Sequence, residues 1–141
     1  MRLFLFMLLP IASLSCRHVQ QAQIGQHNPG GPNRWLLDWK FENRTYDFEA
    51  SEAFLRAASK WQPDKSRPPC SPGNAEAAAV REAQRLRPDV PGWVRDGIEL
   101  REISGDCWIY VVRLYRSDFI MGQPASLSIP VLMNGEAVRP K

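Results

Sequence analysis

Cys107 to Arg116 reads CWIYVVRLYR, and the fold is decided by this run. β-Branched and aromatic residues occupy alternate positions of both parities, as expected of a central strand covered on its two faces. Downstream, Ala125, Leu127, Ile129, Val131 and Met133 alternate with Ser126, Ser128, Pro130 and Leu132. That period of two predicts a one-sided strand, and Pro130 places it at an edge. Asn134-Gly135 is a strong hairpin turn, returning through Ala137-Val138. Upstream, Trp93 to Ile103 is strand-like with a bulge expected at Asp96-Gly97, and Ser104-Gly105-Asp106 turns it into the central run.

A helix over Ala75 to Arg87 precedes these strands, with Asn74 as the expected N-cap. Ala75, Ala79, Ala83 and Leu86 line one face with Val80 beside them, and a face this small lets a helix lie close on a sheet. The expectation is therefore an α+β fold, with a helix packed on a three- to four-stranded antiparallel meander. Before it, Leu37, Trp39 and Phe41 alternate with charged residues as a half-buried strand does. Asn43-Arg44 turns the chain toward Tyr46 and Phe48. Glu49 to Trp61 reads as a second helix through Phe54, Leu55, Ala58 and Trp61. Pro63 to Gly73 is a turn-rich connector holding Cys70.

The first fifteen residues have another character. Arg2 gives a positive start, Leu3 to Leu9 is unbroken apolar sequence, and Ala12, Ser13 and Ser15 lead into Cys16. That is the layout of a secretory signal peptide, expected over 1–15. Two fates are open for Cys16. Ser13 and Ser15 suit ordinary signal peptidase, whereas Ser13-Leu14-Ser15-Cys16 resembles a bacterial lipobox with Ser13 in the usual leucine position. The resemblance implies lipidation of Cys16 and a membrane anchor. With Arg17 next, it implies the outer membrane in a Gram-negative host.

The cysteine count favours the anchor. Of Cys16, Cys70 and Cys107, lipid on the first leaves one pair for a disulfide in an oxidising compartment. A Cys70–Cys107 bond would contribute about 3–4 kcal/mol by restricting the unfolded chain. Residues 16–34, rich in Gln, Gly, Pro and Asn, read as a flexible linker, and 35–141 as a single α+β domain.

Little in the sequence announces chemistry. Both histidines, His18 and His27, fall in the linker, so the domain has no histidine for a Ser–His or Cys–His pair. Two isolated histidines make no metal site, and no phosphate loop or dinucleotide fingerprint is present. Neither a metal nor a cofactor is expected, nor any catalytic residue. Asp38, Glu42 and Asp47, and Glu99 with Glu102, are the nearest carboxylate clusters, and each reads as a solvated strand face. Without the leader, 17 basic residues stand against 15 acidic ones. This near balance, with Arg95, Arg101, Arg113 and Arg116 interleaved with acids, argues against nucleic acid. Phe119, Ile120 and Met121 stand consecutively in the 117–124 connector. They are candidates either for contact with a partner or for folding back as core.

Three features carry a resemblance over about half of the chain. They are the helix start Ser71-Pro72 with Ala75, the run Trp108-Ile109-Tyr110-Val111-Val112, and the ending Asn134-Gly135-Glu136-Ala137-Val138. Together they resemble the small exported PepSY and cystatin-like domains, and are similar to uncharacterised bacterial lipoproteins with the same helix-plus-meander order. Met133-Asn134 departs from the acidic residue that PepSY domains carry there. The resemblance implies a non-catalytic binding module of the cell envelope, with an envelope protein or peptide as partner. A structural accessory lipoprotein and a small hydrolase are the alternatives.

Overall fold

The central run becomes the middle strand of a three-stranded antiparallel sheet. In the computed structural model, which describes residues 33–42, 44–104, 106–118 and 126–141, the elements follow in chain order. They are β1 (Asn33–Phe41), β2 (Arg44–Ser51), α1 (Glu52–Ala57), α2 (Pro72–Leu86), β3 (Trp93–Ser104), β4 (Cys107–Arg116) and β5 (Ser126–Leu132). One sheet has the order β3-β4-β5, the other is the β1-β2 hairpin, and the class is α+β. The expected leader, Cys16, the linker up to residue 32, and Phe119, Ile120 and Met121 lie outside the described residues. Asn33 and Arg34, assigned to the linker, belong instead to β1.

Helix α2 packs against β3, β4 and β5. It covers the face that presents Leu114, since Arg95, paired with Leu114 in the ladder, reaches the helix residue Glu76 at 2.8 Å. Register places Tyr110, Val112 and Leu114 beside Val131, Ile129 and Leu127 on that face. All of these are buried, as are the opposing Ala75, Ala78, Ala79 and Ala83. Methyl-sized side chains let the helix axis approach the sheet, so larger residues there would force strain. The bulge appears where it was expected, as a register shift between Arg95 and Gly97.

The start of α2 corrects the expected cap. Ser71, not Asn74, is the N-cap: its hydroxyl accepts from the Asn74 N–H at 3.2 Å, and Pro72 occupies the first turn. Proline suits that position because its missing N–H has no intrahelical partner to lose. Ser71→Ala is expected to cost about 1 kcal/mol, with Ser71→Asp recovering most of it, read as urea midpoints.

The region 49–61 is also corrected. β2 runs on to Ser51 and α1 is only six residues long. Tyr46, Phe48 and Ala50 are buried in alternation, so burial at period two holds residues 49–51 in the strand, while Phe54 and Leu55 are helical as expected and the helix ends at Ala57. Ser51 then caps α1 by accepting from the Phe54 N–H at 3.1 Å. Trp61 lies beyond the helix, with its ring edge-on to Trp108 at 5.5 Å and its backbone N–H donating to the Asp106 carbonyl.

β5 is not one-sided. Every residue from Leu127 to Leu132 is buried, because α2, β1 and the chain's last residues all lie against this strand. β1 packs beside it, and the Trp39 indole donates to the Ser126 carbonyl at 2.6 Å. After the turn, where Gly135 takes a φ of +83° and Asn134 Oδ1 accepts from the Glu136 N–H, the chain returns along β5. The Val138 N–H donates to the Pro130 carbonyl at 2.9 Å. A strand residue directs its N–H and C=O to the same side, so Pro130 withholds a donor only from that returning segment and leaves the β4 ladder whole. Pro140 then bridges to Phe48, and the Lys141 N–H donates to the Asp47 carbonyl. The last five residues therefore stitch the two sheets together.

Candidate functional site

Two polar constellations stand out, and they do different work. The first sits where the β1–β2 turn, the end of α2 and the end of β4 meet. Glu42 takes a left-handed φ of +53°, a conformation costing a non-glycine residue about 1–2 kcal/mol. From there its carboxylate bridges two arginines, Arg116 at 2.6 Å and Arg87 at 2.8 Å. Arg87, the C-cap of α2, is 6% exposed and also grips Asp89 through two bonds of 2.8 and 2.6 Å. Arg116 grips Asp118 in the same bidentate way. Behind them the Arg87 guanidinium lies 4.9 Å over the Phe41 ring, which tilts against Trp93. Each cation here has its carboxylate, so the cluster is a rivet between the hairpin, the helix and the sheet.

The rivet sets a pH dependence. Hydrogen bonding to Arg87 pulls the Asp89 carboxyl down to about 2, and Arg116 and Lys60 lower Asp118 and Asp106 in the same way. A depressed carboxyl stabilises the fold above its unfolded value and loses that contribution as pH falls through the folded one. Burial raises the Cys70 thiol and the Tyr110 phenol, contributions present below their unfolded values and lost as pH rises. The urea midpoint is therefore expected to be level from about pH 5 to about pH 8. It should fall toward pH 2 on the acid side, and again above pH 9 on the alkaline side.

The second constellation is an open groove of about 520 Å³ between α2 and the chain that follows β5. Ala78, Arg81, Glu82 and Arg85, at helical spacings of three and four, form one wall. Asn134, Gly135, Glu136, Ala137 and Arg139 form the other. Glu82 is held at the base, only 7% exposed, and accepts both bonds of the Arg85 fork at 2.9 and 2.6 Å. Arg81 and Arg139 are exposed and have no ion-pair partner among the described residues. Glu136 contacts the Asn134 side chain, and its carbonyl accepts from the Leu132 N–H; among the described residues it has no cation partner. Three guanidinium groups thus face two carboxylates, one of which is already consumed by Arg85.

The residues singled out from sequence are scattered. Cys70 and Cys107 are both buried; Cys70 lies under the hairpin turn, with its Sγ 3.7 Å from where a Gly135 side chain would begin. Burial keeps the Cys70 thiol protonated, which makes it a poor nucleophile. Asp38 and Asp47 stand opposite each other in the β1–β2 register, while Glu42 belongs to the rivet. Glu99 is paired to Arg101. Arg95, Arg101, Arg113 and Arg116 are each engaged by an acid. Among the described residues no group of three metal-ligating side chains converges, and no helix is long and apolar enough to cross a membrane.

The groove was missed from sequence, although one half of it was readable. The 78/81/82/85 stripe is visible as a polar helix face, but the wall carrying Arg139 exists only because the chain doubles back along β5. Comparison with protein-family models, with curated proteins and with solved structures gives no match to this chain.

Proposed function

We propose that this chain is a non-catalytic binding domain, exported to the cell envelope and held to a membrane through lipid on Cys16. Its working face is the groove between α2 and the segment after β5. The observation that carries the reading is the pair of arginines, Arg81 and Arg139, which line one groove from two elements with no ion-pair partner among the described residues. The arginines of the β3-β4-β5 sheet are spent on internal ion pairs, whereas in this groove two arginines on different elements line one concavity. The helix-on-meander order supports the likeness to PepSY and cystatin-like modules, with the segment Ala137–Val138 as a minimal fourth strand. On this reading Cys70 and Cys107 become a structural disulfide after export.

Photo-crosslinking in cells tests it. A crosslinking residue at position 81 should give a discrete adduct in the envelope. The same residue at the exposed position 67, in the connector before α2, should not. Equal products from both positions, or none from 81, would overturn the reading.

A further inference from the structure

The groove's ligand has a definite chemistry. We infer that it is an oxyanion, a carboxylate or phosphate group, clasped between Arg81 on the helix and Arg139 on the returning chain. The inference rests on the groove being the working face. A guanidinium presents paired N–H donors that match a carboxylate or phosphate edge. Two such groups on opposite walls enclose one anion better than either alone. Arg85 is excluded from this role because Glu82 already takes its fork in two short bonds. Glu82 in turn is buried and committed, so it does not compete for Arg81. Glu136, on the rim, has no cation partner among the described residues. It repels an anion that enters from its side and accepts an N–H donor carried next to one. The ligand is therefore a small oxyanion, or the oxyanion end of a larger molecule. A highly charged polyanion does not fit, because Glu136 on the rim would meet its further charges.

The test is a titration of the full chain at constant ionic strength, followed by backbone and arginine N–H resonances. The probes are inorganic phosphate, acetyl-dialanine with its free carboxylate, and acetyl-dialanine amide. Saturable shifts confined to residues 78–85 and 134–139, with phosphate or with the free carboxylate but not the amide, are expected. Phosphate alone would assign a phosphate-bearing ligand, and the carboxylate alone a peptide end. The double variant Arg81→Gln, Arg139→Gln should bind about tenfold more weakly or worse, roughly what one strong charge-assisted contact is worth. Arg67→Gln should bind as the wild type does. Both substituted arginines are exposed and outside the core, so the dispersion of the spectrum shows directly that the double variant is folded. No saturable shift with any probe, or unchanged affinity in the double variant, would overturn the inference. If the crosslink at position 81 persisted in that case, the groove would remain the working face with a different ligand chemistry.

Discussion

Replacing Phe41 with alanine is expected to destabilise the fold by about 3–5 kcal/mol, the range for emptying a packed aromatic site. Phe41 is the last residue of β1 and is fully buried. Its ring lies 5.4 Å from that of Trp93 and carries the Arg87 guanidinium on its face. One side chain thus touches the hairpin, β3 and the C-cap of α2, and no single rearrangement refills the space it leaves. The loss has a second part, because the guanidinium of Arg87 loses the ring under it while remaining buried. Domains of this size have only about 5–15 kcal/mol in hand. A fall of about 2 M or more in the urea midpoint follows from ordinary denaturant slopes. Phe41→Leu keeps an apolar side chain that fills much of the space and loses mainly the ring contacts, so it should cost less, about 1–2 kcal/mol. A Phe41→Ala midpoint close to the wild type would mean that the hairpin is not clamped to the rest of the molecule there.

Removing residues 137–141 is the other large effect, expected at about 3–5 kcal/mol. The deletion exposes the surface that Val138 buries and takes away the bonds from Val138 to Pro130 and from Lys141 to Asp47. It also removes the Lys141–Glu49 ion pair, which is exposed and contributes little. The more telling consequence is at β5. That strand would present a free edge flanked by buried apolar residues, a template for pairing with another copy. The shortened chain should therefore both melt at lower urea and elute as a concentration-dependent dimer or larger species. A shortened chain that stays monomeric with an unchanged midpoint would show that the two sheets hold together without the stitch.

How far the sequence could be read follows from where the determining forces act. β4 was legible because its alternation is dense on both faces, and the Asn134-Gly135 turn because its chemistry is local. The bulge at Arg95–Gly97 was legible for the same reason, a glycine breaking an otherwise regular strand. Only the middle of the expected 49–61 helix forms: Phe54 and Leu55 lie in α1, whereas Ala58 and Trp61 continue the helical spacing past its end at Ala57. The strand ending at Ser51 is decided instead by burial of Phe48 and Ala50 against distant residues. The one-sided reading of β5 failed similarly, since Leu132 and Pro130 are covered by parts of the chain far away in sequence. Asn74 was a plausible cap in isolation, but Ser71 followed by Pro72 sets the helix start one turn-length earlier. The groove depends on two segments about fifty residues apart, so local pattern shows Arg81 and Arg85 only as a polar helix face and gives no reason to join Arg139 to them.

The functional reading depends first on the chain's address, because an anion groove in the envelope meets different ligands from one in the cytoplasm. The direct measurement is the intact mass of the protein recovered from the membrane fraction of a bacterial host, taken before and after reduction. The account predicts a chain beginning at Cys16 with a diacylglyceryl or further acylated mass, gaining two daltons when the Cys70–Cys107 bond is reduced. A mass that retains residues 1–15, or a cleaved chain without lipid, would contradict it.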